Sequence, residues 1–98
     1  MSSLKDFQEI FKKRFGEIDR KSGELFLLAV LMEEVGELAE SLRRGKGFED
    51  ELADVLFMVI SIANLKEVDL EETLKRKYIE RAPSEVMKSW DDVERNGN

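Results

Sequence analysis

The segment at residues 55–63, VLFMVISIA, limits the possible folds most, because Ser61 is its only polar residue. It lies within a predicted helix that covers residues 48–65. A helix that is apolar on nearly all sides must be buried on nearly all sides. In a chain of 98 residues, the few other short helices are too small to enclose it. We therefore expect a second protomer to complete the core, in a dimer or a tetramer.

Helical periodicity and the positions of glycine and proline predict an all-α fold. The expected architecture is an antiparallel bundle of about four helices plus a short C-terminal segment. The first amphipathic helix is expected at residues 4–20, with Ser3 as its N-cap and Asp6 completing a capping box. The second is expected at residues 24–44, followed by glycine. No segment of the sequence has the pattern of a strand.

The second half of the chain contains the remaining predicted elements. The Gly-Lys-Gly sequence at residues 45–47 is a predicted turn, and the third helix follows it. Asp69 is the predicted N-cap of a fourth helix that ends near Arg81, and Pro83 is expected to stop it. Residues 1–98 are thus expected to form a single domain. A short docked helix is predicted from the spacing of Val86, Met87, Trp90 and Val93.

The residue types present exclude several kinds of active site. The chain has no cysteine and no histidine, so thiol catalysis, His-ligated zinc and Ser-His-Asp triads are impossible within one chain. A bound metal must have oxygen ligands, which favour Mg²⁺, Mn²⁺ or Ca²⁺. The formal net charge of −6 and the absence of a basic stripe oppose nucleic-acid binding. Because no apolar run approaches the ~20 residues that span a bilayer, we expect no membrane partner and a cytoplasmic location.

Five acidic residues on the second and third predicted helices have no basic residue three or four positions away. Glu40 differs from them, because Arg43 and Arg44 stand at these spacings. A like-charge pair at such a spacing costs about 0.2–0.5 kcal/mol on an exposed helix, and partial burial adds to that cost. A compensating cation is therefore expected near the five acids, which are Glu33, Glu34, Glu37, Glu51 and Asp54.

Four of these acids form two pairs that share helix faces, Glu34 with Glu37 and Glu51 with Asp54. Because the turn between the two helices is short, the helices should be antiparallel neighbours and the pairs should face each other across one gap. Four carboxylates without histidine favour Mg²⁺, with Mn²⁺ as a substitute, and Mg²⁺ normally shares its ligand shell with a phosphate. Lysines from another helix are the alternative source of positive charge.

The two acidic segments resemble the signature of a known family. The segments EEVGELAE at residues 33–40 and ELADVLFMV at residues 51–59 resemble the metal-binding signature of the MazG-like nucleoside triphosphate pyrophosphohydrolases, which are all-α proteins. Residues 69–72 and 77–81 resemble downstream family features, so the resemblance covers about residues 24–81. It implies a single-domain member that assembles as a dimer or tetramer.

The resemblance also implies an activity and the residues that perform it. The family cleaves nucleoside triphosphates between the α and β phosphates, which gives a monophosphate and pyrophosphate. Lys77 and Arg81 match basic positions that contact phosphate. The implied function of this chain is Mg²⁺-dependent pyrophosphohydrolysis of (d)NTPs in nucleotide-pool house-cleaning. The positions that match the Mg²⁺ ligands are Glu34, Glu37, Glu51 and Asp54.

Further residues have two possible interpretations each. Glu33 is a candidate base that orients or deprotonates water, or else a solvated glutamate at the edge of the site. Asn64 is a candidate contact for sugar or phosphate, or else a residue that ends a helix. Tyr78 and Trp90 are candidates for stacking on a base, or else core aromatics. A core position is expected for the aromatic stripe formed by Phe7, Phe11 and Phe15.

The alternative function is a non-enzymatic helical dimer whose acidic face binds a basic partner. That hypothesis explains the charge balance, but it does not explain why Glu40 has basic neighbours while the five other acids have none. A di-iron carboxylate bundle is disfavoured, because such sites use a Glu-x-x-His motif. An EF-hand is excluded, because the chain has no Asp-rich calcium loop.

Overall fold

The computed structural model describes the backbone of residues 3–96 and the side chains of residues 3–91. The described residues contain no strand, so the all-α prediction is confirmed. Within them, the helices are too short or too polar to cross a membrane. The helical elements are α1 (Leu4–Ser22), α2 (Glu24–Arg44), α3 (Phe48–Leu65), α4 (Leu70–Leu74) with a π-helical continuation (Lys75–Ile79), and α5 (Pro83–Asn96).

The chain divides into two compact units, Met1–Val68 and Asp69–Asn98. In the first unit, α1 starts with the predicted capping box. The backbone N–H of Asp6 donates to Ser3 Oγ at 3.1 Å, and the N–H of Ser3 donates to Asp6 Oδ2 at 3.0 Å. The helix continues to Ser22, two residues beyond the predicted end. Only Gly23 separates it from α2.

The hairpin of α2 and α3 has the predicted boundaries. Gly45 ends α2 in the left-handed conformation with φ 78°, and Gly47 precedes α3 with φ 79°. Positive φ values favour glycine, which has no Cβ to clash with the backbone. The N–H of Gly45 donates to the carbonyl of Ser41 at 2.9 Å and closes the last turn of α2. The two helices pack against each other, as the short turn predicts.

The core of the first unit lies between α3 and its two neighbours. The buried hydrophobic side chains of this unit are those of Leu27, Met58, Ile60 and Ala63. Phe57 of α3 packs edge-on against Phe11 and Phe15 of α1, with both centroid distances at 5.1 Å. Phe7 is 43% exposed, because it lies at the end of the stripe and stacks only on Phe11 among the described rings. The predicted core position was therefore wrong for Phe7.

Two polar side chains tie α1 to the end of α3. Gln8 Nε2 donates to Asn64 Oδ1 at 3.1 Å and to the carbonyl of Val68 at 2.9 Å. Asn64 Nδ2 donates back to the carbonyl of Gln8 at 3.0 Å. Asn64 thus lies in the last turn of α3, which ends at Leu65, and its amide group links this helix end to α1. The sequence pattern missed this link because the two residues are 56 positions apart.

A second polar contact lies deeper between α1 and α3. Asp19 is buried, and the almost fully buried Ser61 stands beside it. Burial raises the pKa of Asp19 above its ordinary range, and the nearby Ser61 hydroxyl partly opposes this shift, although the two side chains do not meet in hydrogen-bond geometry. A polar residue at the centre of the most apolar stretch of the chain therefore has a polar neighbour on the facing helix.

In the second unit, the predicted cap of α4 is present. The N–H of Glu72 donates to Asp69 Oδ1 at 3.1 Å. The helix then widens into its π-helical continuation, where the N–H of Glu80 donates to the carbonyl of Lys75 at 2.9 Å. A five-residue hydrogen bond of this kind defines a π-helix. The regular helix, which was predicted to end near Arg81, ends at Leu74, and its π-helical continuation ends at Ile79.

The preceding helical segment ends at Ile79, before Pro83, and Pro83 itself begins α5. Proline suits a first helical position, where the N–H has no helical acceptor. The tail helix reaches Asn96 and is longer than predicted. Val86 is buried, whereas Trp90 is 55% and Tyr78 43% exposed. Within a single chain these two aromatics are therefore not core residues, and the side chain of Val93 lies outside the described residues.

Candidate functional site

Three of the four predicted metal ligands converge on the α2–α3 hairpin. One carboxylate oxygen from each of Glu34, Glu37 and Glu51 lies within 4.8 Å of the others. The first two share a face of α2 because they are three residues apart. The tight turn brings the first part of α3, with the third residue, against that face. We call these three residues the carboxylate cluster.

Asp54, the fourth predicted ligand, lies outside this three-residue set but close enough to interact with it. Burial raises the pKa of Glu34 above its ordinary value of 4.5, and the nearby charges of Glu37, Asp54 and Glu51 raise it further. Burial likewise raises the pKa of Glu51, and the nearby charges of Glu37 and Asp54 raise it further. Like charges that crowd a partly desolvated gap disfavour ionisation of the carboxyl groups.

No described basic residue forms an ion pair with the carboxylate cluster. None of the five acids singled out in the sequence forms an ion pair with a described residue. The Oε2 atoms of Glu34 and Glu51 are buried and accept no hydrogen bond. A buried polar atom without a partner is costly and calls for an explanation. Oxygen-only ligands with uncompensated negative charge fit a hard divalent cation such as Mg²⁺ or Mn²⁺.

Glu40 differs from these five acids because basic side chains pair with it. Arg43 Nε donates to Glu40 Oε2 at 3.0 Å, and Arg44 Nε donates to Glu40 Oε1 at 3.1 Å. The hydrogen bond from Arg43 lowers the pKa of Glu40, and the bond from Arg44 contributes to the same shift. The sequence-based distinction between this surface glutamate and the unpaired acids is therefore confirmed for Glu40.

Glu33 stands apart from the carboxylate cluster. Its side chain is exposed, and it does not belong to the group that converges within 4.8 Å. Adjacent residues of a helix point in directions about 100° apart, so neighbours in sequence do not share a face. The water-orienting role of Glu33 stays a prediction.

The two predicted phosphate contacts belong to the second unit. Lys77 lies exposed in the π-helical segment, with its Nζ 5.4 Å from the centroid of the Tyr78 ring. Arg81 Nη2 donates to Ser89 Oγ at 2.9 Å and to the carbonyl of Glu85 at 3.2 Å. π-helical turns occur frequently at functional sites, and the periodicity of the sequence did not predict this one. The phosphate-binding role of both residues stays a prediction.

Comparison with known families supports the sequence-based resemblance. No curated protein and no solved structure matches the chain significantly. The model of the MazG nucleotide pyrophosphohydrolase domain matches residues 22–86. This match includes all of α2 and α3 and covers more than half of the 98 residues. The chain therefore belongs to the MazG nucleotide pyrophosphohydrolase family.

Proposed function

We propose that this protein is a Mg²⁺-dependent pyrophosphohydrolase that cleaves nucleoside triphosphates between the α and β phosphates. Its proposed role is house-cleaning of the nucleotide pool in the cytoplasm. The observation that carries the proposal is the convergence of Glu34, Glu37 and Glu51, with two buried oxygens that have no partner. A bound divalent ion would compensate the charge of these carboxylates. In a member of this family, the phosphates of a nucleotide are the expected partner of such an ion.

The residues proposed to hold Mg²⁺ are Glu34, Glu37, Glu51 and Asp54. When bound, the ion supplies Lewis-acid catalysis for phosphoryl transfer to water. The packed hairpin fixes the carboxylates in position, because both ends of the Gly-Lys-Gly turn are held by glycine conformations. Burial of Glu34 and Glu51 keeps water away from part of the carboxylate cluster, which strengthens the attraction of the remaining charge for a cation.

Lys77 and Arg81 are proposed as contacts that neutralise the charge that develops on the pyrophosphate leaving group. Lys77 is the cleaner of the two to test, since it is exposed and forms no ion pair with a described residue. Arg81 also bonds Ser89 and the Glu85 carbonyl within its own unit. A substitution there would disturb local structure as well as charge.

Glu33 is tested by replacement with glutamine, which keeps its shape and removes its charge. A fall in turnover as large as that caused by Glu37→Gln would assign Glu33 to the reaction. Activity at the wild-type level would assign it to the solvated surface on which its exposure places it.

Hydrolysis of a nucleoside triphosphate is expected to release the monophosphate and pyrophosphate. The reason is the family to which the chain belongs, together with a carboxylate cluster suited to Mg²⁺. Incubation with a panel of canonical and modified (d)NTPs and Mg²⁺, followed by chromatography of the products, measures this. Nucleoside diphosphate and orthophosphate as the main products would contradict it, and the absence of any product would favour a binding module with an acidic face.

Self-association is proposed from a row of exposed side chains along α2. On one face of this helix, six exposed positions alternate at intervals of three and four residues, the spacing of a helix–helix seam. Leu25 is 78%, Met32 61% and Leu42 57% exposed. Monomeric proteins seldom leave a continuous apolar row in water. The row consists of Leu25, Leu28, Met32, Val35, Ala39 and Leu42.

We propose that a second copy of the chain packs against this row. Leu52 and Leu56 of α3, which are 52% and 50% exposed, extend the apolar surface. Light scattering at micromolar concentration is expected to show at least twice the chain mass of 11.4 kDa. Met32→Lys places a charge in the middle of the row and should shift the assembly towards monomer. A compact, stable monomer of the wild-type chain would overturn this proposal.

A further inference from the structure

A cleft of about 390 Å³ opens at the α2–α3 turn, directly beside the carboxylate cluster. Glu37 and Glu51, two members of the cluster, also line this cleft. Arg44 and Lys46 line it as well. We call this space the turn cleft. The resemblance that pointed to the acids and to the downstream basic pair says nothing of these two cations.

The lining of the turn cleft suits phosphate and not a nucleobase. Every residue around it is charged, a serine or a glycine, and none has an aliphatic or aromatic side chain. A base is normally bound by stacking on aromatic or aliphatic side chains, and no residue of the lining has one. A phosphate chain is bound by cations and hydrogen-bond donors, and the cleft has both. Its three carboxylates, Glu37, Glu40 and Glu51, repel phosphate unless cations compensate them, which the proposed Mg²⁺ and Arg44 would do.

The two cations of the turn cleft differ in their availability. Arg44 is held by Glu40, whose carboxylate accepts from its Nε at 3.1 Å. Lys46 is exposed and forms no ion pair with a described residue. It stands between Gly45 and Gly47, whose positive φ values fix the turn. Lys46 is therefore the cation in the cleft that is free to bind an incoming anion.

We propose that the turn cleft receives the β and γ phosphates of the substrate and that Lys46 contacts them. This inference rests on the proposed function. The nucleoside is attached to the α phosphate and is normally bound by stacking, so the end that enters a cleft without aromatic residues is the end without the nucleoside. Because Glu37 and Glu51 border both the cleft and the cluster, the phosphate chain runs from the cluster towards the turn.

The test compares Lys46→Ala with Lys21→Ala as the matched control. Lys21, near the end of α1, is also an exposed lysine, 76% exposed in its side chain, and it forms an ion pair with Glu17 on the same helix. Binding of magnesium pyrophosphate is measured by calorimetry, and KM and kcat are measured with the best NTP. We expect Lys46→Ala to weaken pyrophosphate binding and to raise KM by roughly 10-fold each, the size of one charge-assisted hydrogen bond. Lys21→Ala should match wild type, and Lys46→Arg should restore most of the binding.

Each outcome decides between the inference and the function on which it rests. Pyrophosphate binding and KM that are unchanged in Lys46→Ala would overturn the inference while leaving the proposed function intact. A wild-type chain that does not bind magnesium pyrophosphate would overturn the inference as well. Absence of hydrolysis with every NTP would overturn the proposed function. The calorimetric comparison of wild type with Lys46→Ala would still test whether Lys46 contacts pyrophosphate. Lys46→Gln, which keeps the length of the side chain, replaces Lys46→Ala should that variant fail to fold.

Discussion

Replacing Glu37 with glutamine, or Asp54 with asparagine, is expected to lower pyrophosphohydrolysis at least about 100-fold. Each substitution keeps the shape of the side chain and removes one negative charge from the hairpin. The charge of Glu37 and that of Asp54 both raise the pKa of Glu34 and of Glu51. Without metal, the variants should therefore be as stable as wild type or more stable, because like-charge repulsion falls.

The two measurements are steady-state release of pyrophosphate and thermal unfolding without metal. Glu9→Gln is the matched control, since Glu9 is an exposed glutamate on α1 outside the carboxylate cluster. It should retain wild-type turnover. If both variants unfold far more easily than wild type without metal, the carboxylates are structural and the proposed metal site is wrong.

Mg²⁺ is expected to stabilise the folded protein against heat at neutral pH. At a concentration 100 times Kd, a ligand that binds only the folded state adds about 2.7 kcal/mol. For a domain of this size, such an increase raises the midpoint by roughly 10–20 °C. Calorimetric scans at one fixed protein concentration, with and without Mg²⁺, measure the shift. No rise in the wild-type midpoint would contradict the proposed site.

The dependence on pH follows from the direction of the pKa shifts. In the metal-free protein, burial and neighbouring acids raise the pKa values of Glu34 and Glu51 above 4.5. A raised folded-state pKa contributes stability below the unfolded value, and this contribution is lost as pH rises through the folded-state value. These two groups should therefore destabilise the metal-free protein progressively as pH rises from about 4.5 towards neutrality. Mg²⁺ should reverse that loss.

Asp19 provides a control that does not depend on metal. Burial raises its pKa above 3.8, so its contribution to stability is also lost as pH rises. Asp19→Asn should remove this part of the pH dependence and leave the effect of Mg²⁺ unchanged. Glu40 acts in the opposite direction, since its lowered pKa contributes stability that is lost as pH falls. That contribution is small because the ion pair is exposed and screened by solvent.

Much of the fold could be predicted because helix ends depend on short-range chemistry. Ser3 with Asp6 forms a capping box whichever helix packs beside it, and Gly45 ends α2 because it adopts a positive φ without strain. The predicted limits of α2 and α3 are those of the structure for the same reason. Pro83 follows the end of one helical segment and begins α5, because proline cannot continue a helix but suits the first turn of the next.

The acids of the candidate site could also be found by spacing. Residues three apart share a helix face, and the absence of a basic residue at that distance separated Glu34 and Glu51 from Glu40. Spacing to Glu37 does not decide between Glu33 and Glu34, because both separations, four and three residues, allow contact along a helix. Only the packing of α2 on α3 buries an oxygen of Glu34 and leaves Glu33 in solvent.

The sequence by itself determined the helices, their caps and the acidic faces, since these depend on residues within one or two turns of each other. The tertiary structure decided which polar groups are buried and what they meet. Gln8 bonds Asn64 across 56 positions, and Asp19 lies beside Ser61. It also placed Lys46 beside the acids in the turn cleft. Burial and the meeting of charges depend on how distant segments pack, and no local pattern of residues contains that information.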